Sequence, residues 1–155
     1  MTFEQIYEPQ TKEKAVRKIL EALPDWFAIE EGREQYIAES AEQICIAAIH
    51  DAEYVGFLCL KETGKDTLEL AVMGVLKEYH RQGIGRKMFM IAKEIAREKG
   101  YSFLQVKTVQ MGKYADYDDT NRFYISLGFK EFEVFPTLWD EANPCQIYVM
   151  SVEQK

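Results

Sequence analysis

Hydrophobic positions along the chain follow two periods. Short apolar runs rich in β-branched and aromatic residues predict strands, and apolar residues spaced three and four apart predict helices. In chain order the patterns predict one strand, two helices, three strands, a helix, a strand, a helix and two strands. Helices interleaved with strands in this way favour a single α/β domain whose central sheet has helices on both faces.

The predicted elements have recognisable starts and stops. Thr11 is the expected N-cap of the first helix and Pro24 its end, while Gly100 and Gly128 fit the C-caps of the third and fourth helices. The second helix is expected over residues 33–43. Gly56 is expected to mark a close approach or a bulge in the third strand. The predicted strands cover residues 3–8, 44–50, 54–61, 67–76, 103–109, 129–134 and 146–152.

A glycine-containing turn lies between the fourth predicted strand and the third predicted helix. Glycine permits tight turns, and the first N–H groups of a helix point outward at the positive end of its dipole. Beside basic side chains, such a turn predicts a phosphate site, and a solvated helix start is the alternative. The segment is His80-Arg81-Gln82-Gly83-Ile84-Gly85-Arg86-Lys87.

Met88 argues against two common phosphate-binding motifs. A nucleotidase P-loop requires glycine five residues after Gly83, and a dinucleotide fingerprint requires a small residue three positions after Gly85. Both positions are Met88. Neither motif therefore describes this turn.

The turn instead resembles the pyrophosphate loop of the GNAT superfamily of N-acetyltransferases, Arg/Gln-x-x-Gly-x-Gly/Ala, with His80 replacing the first Arg or Gln. If that first position acts through its backbone N–H, the replacement matters little. A second block resembles the family's late helix, which ends in Phe-Tyr-x-x-Leu-Gly-Phe. Here it is Phe123-Tyr124-Ile125-Ser126-Leu127-Gly128-Phe129. The resemblance spans residues 54–152 and implies a GNAT-like, mostly antiparallel sheet of six to seven strands within one N-acetyltransferase domain, residues 1–155.

The resemblance also implies a cofactor and a reaction. Acetyl-CoA is the expected co-substrate, and an amine attacks its thioester directly in a ternary complex. Gly74 is a candidate bulge that exposes strand backbone to the pantetheine arm, although a plain buried strand with a packing glycine is the alternative. The expected cofactor-binding residues are Met73, Val75, Arg81, Gln82, Gly83, Ile84, Gly85, Arg86, Lys87 and Asn121.

Two catalytic residues are expected. Tyr124 occupies the family's acid position, and a phenol with a pKa near ~10 can protonate a departing thiolate. Because an amine with a pKa of ~10.4 is protonated at neutral pH, a base or a water chain to one is also required. Glu69, eleven residues before His80, resembles the glutamate of the histone-modifying branch. The alternatives are a core tyrosine and a surface glutamate on a strand edge.

Charge limits the choice of partners. The net charge is -7 and the pI is about 5.0, which argues against nucleic acid and favours a cationic acceptor. An acidic, aromatic stretch before the fourth helix is expected either to steer such an amine or simply to cap the helix. It comprises Tyr114, Asp116, Tyr117, Asp118 and Asp119.

Cysteine and histidine usage argues against other chemistry. Three widely spaced cysteines and two histidines indicate a reducing compartment, no disulfide framework and no metal site. No apolar run spans a membrane and the N-terminus lacks a leader pattern, so a cytoplasmic protein is expected. Cys145 is expected to pack between the last two strands.

The sequence leaves several questions open. The acceptor is either a small-molecule amine or an exposed protein amino group. A homodimer through the C-terminal strands near Trp139 and the role of the 139–145 tail are unresolved. A non-catalytic module that binds or senses acyl-CoA is the alternative function, since it would keep the Gly83–Gly85 turn without turnover.

Overall fold

A computed structural model describes residues 1–153 as seven strands and four helices in the predicted order. A short 3-10 turn, Lys77–Tyr79, precedes the third helix. The strands are β1 Thr2–Ile6, β2 Ile44–His50, β3 Glu53–Gly64, β4 Thr67–Val75, β5 Phe103–Val109, β6 Lys130–Asp140 and β7 Asn143–Ser151. The helices are α1 Pro9–Glu21, α2 Glu30–Ser40, α3 Ile84–Glu98 and α4 Ala115–Leu127.

The strands form one sheet in the order β1-β2-β3-β4-β5-β7-β6. Pairing is antiparallel for β1–β2, β2–β3, β5–β7 and β6–β7, and parallel for β4–β5. A parallel pair needs a long crossover connection, which here contains α3. The predicted α/β class with a mostly antiparallel central sheet is therefore confirmed.

Contacts within the chain concentrate in two compact units. The first comprises Met1–Lys61 and Ala71–Ile95, and the second comprises Glu62–Leu70 and the chain from Ala96 onward. The division passes through β3, β4 and α3, so no linker separates the units.

In the first unit, helices cover both faces of the sheet. A Cβ added at Gly74 would lie 2.9 Å from Ile19 Cγ2 of α1 and 3.0 Å from Leu23 Cδ1, just after that helix. A Cβ added at Gly56 would lie 3.3 Å from Met88 Cε of α3 and 3.3 Å from the Gly74 carbonyl oxygen. The missing side chain at Gly74 therefore leaves room for α1 to pack on β4, which fits the alternative of a packing glycine. Gly56 marks the predicted close approach of backbone and α3.

The β2–β3 hairpin combines a tight turn with a bulge. Asp51 and Ala52 have φ values of 50° and 64°, the left-handed pair that suits the twist of a two-residue hairpin. The register passes from Ala48↔Gly56 to Ile49↔Tyr54, which leaves Val55 as the extra residue.

Two helix starts differ from prediction. The N-cap of α1 is Glu8 rather than Thr11, with Pro9 in the first turn, where its missing N–H costs nothing. Thr11 instead donates its hydroxyl to the Glu8 carboxylate at 2.7 Å. Helix α2 begins at Glu30, three residues before its predicted start.

In the second unit, β6 and β7 form a longer hairpin than predicted. Strand β6 continues to Asp140 and β7 begins at Asn143, so the 139–145 tail is the hairpin end. The Asp140 carboxylate accepts the Asn143 N–H at 2.9 Å and closes the turn. Cys145 is buried, but it lies within β7 between Val109 of β5 and Phe135 of β6 rather than between the last two strands.

Candidate active site

The turn between β4 and α3 has the backbone of an anion site. Arg81 and Gly83 have φ values of 62° and 78°, a conformation that glycine adopts without steric cost and arginine rarely adopts. Nothing lies within 4 Å of a Cβ added at Gly83, so its conformation rather than crowding requires glycine.

Helix α3 then begins with unbonded donors. The first helical hydrogen bond from this turn runs from the Lys87 N–H to the Gly83 carbonyl at 3.0 Å. Across residues 1–153, the N–H groups of Ile84 and Gly85 have no acceptor. These donors lie at the positive end of a 15-residue helix, where phosphate binds.

Basic side chains surround this turn. Arg81, Arg86 and Lys87 are exposed, as is Gln82. The Lys87 ammonium lies 5.5 Å above the Phe3 ring, a cation–π contact that holds its charge near the start of α3. The Gln82 side chain donates to the Glu78 carbonyl at 3.2 Å. The turn is thus locally basic within an acidic chain.

His80 does not act as expected from its place in the motif. Its backbone N–H donates to the Lys77 carbonyl at 3.1 Å and is used within the 3-10 turn. Its ring Nε2 lies 2.6 Å from the Val75 carbonyl oxygen, and Trp26 packs against the ring edge-on at 6.0 Å. The interpretation that this position supplies a backbone N–H to phosphate is therefore wrong here, because that N–H closes the preceding turn.

The end of β4 carries the two residues expected beside the pantetheine. Met73 and Val75 are half-buried and flank Gly74. The Val75 carbonyl already accepts the His80 ring, but a carbonyl oxygen has a second lone pair. Residues 71–75 of this strand lie in the same unit as the turn that follows them.

Glu69 lies in the second unit and is not a surface residue. It is buried, its Oε1 lies 2.8 Å from the Lys107 ammonium, and Gln105 donates to it at 3.3 Å. The strand-edge alternative is therefore wrong, since β4 is an inner strand of the sheet. Lys107 and Gln105 are long-range partners that sequence reasoning did not find.

Asn121 has a different role from the predicted one. It is fully buried, and its amide donates to the Val109 carbonyl at 2.9 Å and to the Tyr117 carbonyl at 2.7 Å. Its oxygen accepts the Tyr148 hydroxyl at 2.6 Å. With its polar atoms engaged inside the protein, Asn121 connects α4 to β5 and β7, so the solvated alternative is wrong, and none of these hydrogen bonds favours the expected role as a cofactor ligand.

Tyr124 follows Asn121 by one turn of α4. Its side chain is buried, and its ring lies 5.9 Å from that of Phe129 and 6.4 Å from that of Tyr148. Gly128, with φ 106°, ends the helix in a left-handed cap, and Phe129 donates its N–H to the Tyr124 carbonyl at 3.2 Å. Packing therefore fixes the ring position.

Glu69 and Tyr124 lie on opposite faces of the sheet within the second unit. Glu69 shares a face with Gln105, its partner in β5. The next residue of β5, Val106, pairs with Tyr148, whose ring contacts Tyr124. Successive strand residues point to opposite faces, so α4 and the Glu69 carboxylate are on different sides.

The acidic stretch before α4 divides into bound and exposed groups. The Asp118 carboxylate accepts the Gly112 N–H at 2.7 Å, and Asp119 pairs with Arg122 at 3.0 Å. Asp116 is exposed in the first turn of α4. These local contacts account for Asp118 and Asp119, so the hypothesis that the stretch steers an amine rests on Asp116.

The described residues contain no cluster of three or more His, Cys, Asp or Glu placed to hold a metal. Burial raises the pKa of the Cys145 thiol to about 11, so it is protonated near neutrality and is not a nucleophile. Among residues 1–153 no helix is long and apolar enough to cross a membrane.

The sequence matches a known protein family, and the fold is similar to those of known proteins. Residues 4–129 match the model of the acetyltransferase (GNAT) family, whereas no curated protein sequence matches the chain. A GNAT-family protein from Desulfovibrio desulfuricans shares the fold with a TM-score of 0.85 and 21% identity, over 98% of this chain and 99% of its own.

Two further structures are similar over nearly their full length. The aminoglycoside 6'-N-acetyltransferase from Enterococcus faecium has a TM-score of 0.78 and 17% identity, over 100% of this chain and 99% of its own. Ard1 from Thermoplasma volcanium has a TM-score of 0.75 and 14% identity, over 99% and 98%. At such low identity, the structural similarity shows the fold alone. Because the family model covers most of the sequence, the chain belongs to the GNAT family of acetyltransferases.

Proposed function

We propose that this acetyltransferase transfers the acetyl group of acetyl-CoA to a primary amine in a ternary complex. The observation that carries the proposal is the β4–α3 turn, where left-handed Arg81 and Gly83 precede the unbonded N–H groups of Ile84 and Gly85. Proteins of this fold include one described with coenzyme A and another with acetyl coenzyme A.

In this proposal the β4–α3 turn and the end of β4 hold the co-substrate. The Ile84 and Gly85 N–H groups, with that of Arg86, would bind the pyrophosphate, and Arg81 and Lys87 would raise its local concentration. The Met73 and Val75 backbones would pair with the pantetheine arm. Because His80 already donates to the Val75 carbonyl, it would fix that carbonyl for its second hydrogen bond.

Two further residues would supply the proton transfers. We assign Tyr124 as the acid that protonates the departing thiolate, and Glu69 as the base that receives the ammonium proton through water, because Glu69 is buried. The Lys107 ammonium pairs with the Glu69 carboxylate at 2.8 Å and would hold it in position.

The proposed acceptor is a small cationic amine. A net charge of -7 attracts cations, and Asp116 adds an exposed carboxylate at the start of α4. Aminoglycoside acetyltransferases have the same fold, which supports polycationic small molecules as acceptors over protein amino groups. Acetyl-CoA use and three free cysteines support a cytoplasmic location.

Thiol release from acetyl-CoA tests this function directly. We expect turnover with a polyamine or an aminoglycoside, weaker turnover with a peptide amino terminus, and initial-rate lines that intersect as a ternary complex requires. Raising the ionic strength should increase the acceptor KM, since screening weakens attraction between charges. Parallel lines would contradict direct transfer. Saturable acetyl-CoA binding without turnover on any amine would instead favour the non-catalytic acyl-CoA-binding alternative.

A further inference from the structure

Two buried cysteines of the first unit lie opposite each other on neighbouring strands of the sheet. Cys45 of β2 and Cys59 of β3 are directly opposite in the antiparallel ladder. Both have 0% exposure. Fourteen residues separate them in sequence, so only the strand register reveals the pair.

The register meets the geometric requirement for a disulfide. Opposite residues in antiparallel strands have Cα atoms roughly 4.5–5.5 Å apart, and disulfides join Cα atoms roughly 4.4–6.8 Å apart. Both side chains point toward the core formed with α1, which also contains Val16 and Leu20. A covalent bond between the two sulfurs therefore requires no change of strand pairing.

A buried cation acts on both thiols in the same direction, so the contact between the thiols distinguishes them. Lys12 of α1 is buried, with its ammonium 2.7 Å from the Gln43 carbonyl oxygen and 3.4 Å from that of Ala41, at the carboxyl end of α2. The contact with the Cys59 thiol, and secondarily the Lys12 charge, lowers the pKa of Cys45, while the same thiol contact raises the pKa of Cys59. Cys45 is thus the better nucleophile and Cys59 the resolving thiol.

We propose that Cys45 and Cys59 form an oxidisable dithiol, which a peroxide converts to a cross-strand disulfide. The Cys45 thiolate attacks one peroxide oxygen, the O–O bond breaks, and the other oxygen leaves as hydroxide or alkoxide. The Cys59 sulfur then attacks the sulfenic sulfur, the S–O bond breaks, and water leaves with the Cys59 proton. The two sulfurs lose two electrons in total, and the peroxide gains them.

The disulfide would stiffen the support of the β4–α3 turn. The Val55 carbonyl, in the bulge of the same hairpin, accepts the Leu76 N–H at 2.9 Å. Leu76 follows β4 directly and precedes the Lys77–Tyr79 turn. This consequence rests on the proposed function, whereas the oxidation itself does not.

Peroxide treatment of the full chain tests the dithiol. After treatment with hydrogen peroxide, remaining thiols are alkylated in denaturant and the peptides are identified by mass spectrometry. We expect Cys45 and Cys59 to become linked, with loss of two hydrogens, while Cys145 remains alkylatable. Alkylation of all three cysteines, or a link to Cys145, would overturn the proposal, and reduction should restore the starting masses.

Single variants test the order of attack. In Cys59→Ser, peroxide should leave a sulfenic acid at Cys45 that dimedone captures, and Cys45→Ser should react at Cys59 several-fold more slowly. Equal rates in both variants would contradict the assignment of Cys45 as nucleophile. Cys145→Ser is the control and should form the disulfide at the wild-type rate.

Thermal unfolding of the oxidised wild-type chain provides a test that does not depend on whether the variants fold. Closing a loop of about 15 residues should raise the Tm by roughly 5–10 °C if the bond fits the native register. A fall in Tm after oxidation would show that the bond strains the hairpin and would contradict the geometry. Because neither readout uses acetyl-CoA, failure here is separable from failure of the proposed function.

Discussion

The start of α3 and the middle of α4 match the same family pattern, yet their predicted ligand groups have different hydrogen-bonding partners in the structure. At α3 the predicted ligand groups are backbone N–H groups, and those of Ile84 and Gly85 lack acceptors within residues 1–153. In α4 the predicted ligand Asn121 has its amide engaged with Val109, Tyr117 and Tyr148. The first site is available to a ligand, whereas the second holds the fold together.

The difference arises from what each motif encodes. Two closely spaced glycines at the start of a helix determine local backbone geometry, and the unbonded N–H groups follow from the helix itself. A polar side chain in a helix can face a ligand, solvent or a buried partner, and residues distant in sequence decide which. Asn121 depends on Tyr148, 27 residues away. A motif is thus stronger evidence for a backbone site than for a side-chain ligand.

The largest expected effect is that of Tyr124→Phe, which separates chemistry from packing in α4. Loss of a general acid should lower kcat by about 100-fold or more. The acetyl-CoA Kd should stay within about two-fold, because the β4–α3 turn is untouched. Steady-state kinetics and calorimetric titration check both values. A variant with wild-type kcat would leave Tyr124 as a core residue only.

Asn121→Ala should act on stability rather than on the co-substrate. It leaves the Tyr148 hydroxyl without its buried partner and removes the side-chain donor to the Val109 and Tyr117 carbonyls, which should cost about 2–4 kcal/mol of unfolding free energy. Denaturant unfolding measures the loss, with the exposed neighbour Arg122→Ala as control within about 0.5 kcal/mol. A strong loss of acetyl-CoA affinity in folded Asn121→Ala protein would restore it as a cofactor ligand.

Glu69→Gln should lower kcat/KM by about ten-fold or more, because an amide cannot accept the ammonium proton. The matched variant Lys107→Met keeps the carboxylate and removes its cation. It should lower kcat/KM by less than Glu69→Gln does, since it removes only the ion-pair partner of the carboxylate. Steady-state kinetics measure both changes, and a wild-type kcat/KM in Glu69→Gln would exclude Glu69 as the base.

Two glycines at opposite ends of α3 allow the backbone site at the β4–α3 turn to be tested with a matched control. Gly83 and Gly100 have φ values of 78° and 83°, and a Cβ at either would meet nothing within 4 Å. Alanine at either position should therefore cost about 1 kcal/mol of stability. Only Gly83→Ala should also weaken acetyl-CoA binding, by about five-fold, as measured by titration. Equal losses of affinity in the two variants would contradict a site at the turn.

Local patterns predicted most of the fold. Strands β2 and β5 have the predicted bounds, and α3 begins at Ile84 as expected, because apolar runs and glycine caps act over a few residues. Strand β6 extends six residues beyond its prediction, since it is an exposed edge strand without a buried apolar pattern. Helix α2 presents few apolar residues, so its start was misplaced.

The unpredicted parts of the site depend on long-range pairing. The β4–β5 register and the ion pair place Lys107 beside Glu69, and the β2–β3 register places Cys45 opposite Cys59. A single sequence contains no signal for either pair, because each depends on which strands become neighbours. Residue types could therefore suggest the chemistry at Tyr124 and Glu69 but not the partners of Glu69.

Thermal unfolding with acetyl-CoA tests the central claim most directly, namely that the β4–α3 turn binds this co-substrate. Ligand at ~100 times its Kd should add about 2.7 kcal/mol of stability, or several degrees in Tm. The account predicts this rise for acetyl-CoA in the wild type and in Gly100→Ala, and a smaller rise at the same concentration in Gly83→Ala. An absent rise, or one that ATP and NADH reproduce in full, would show that the turn is only a basic helix cap.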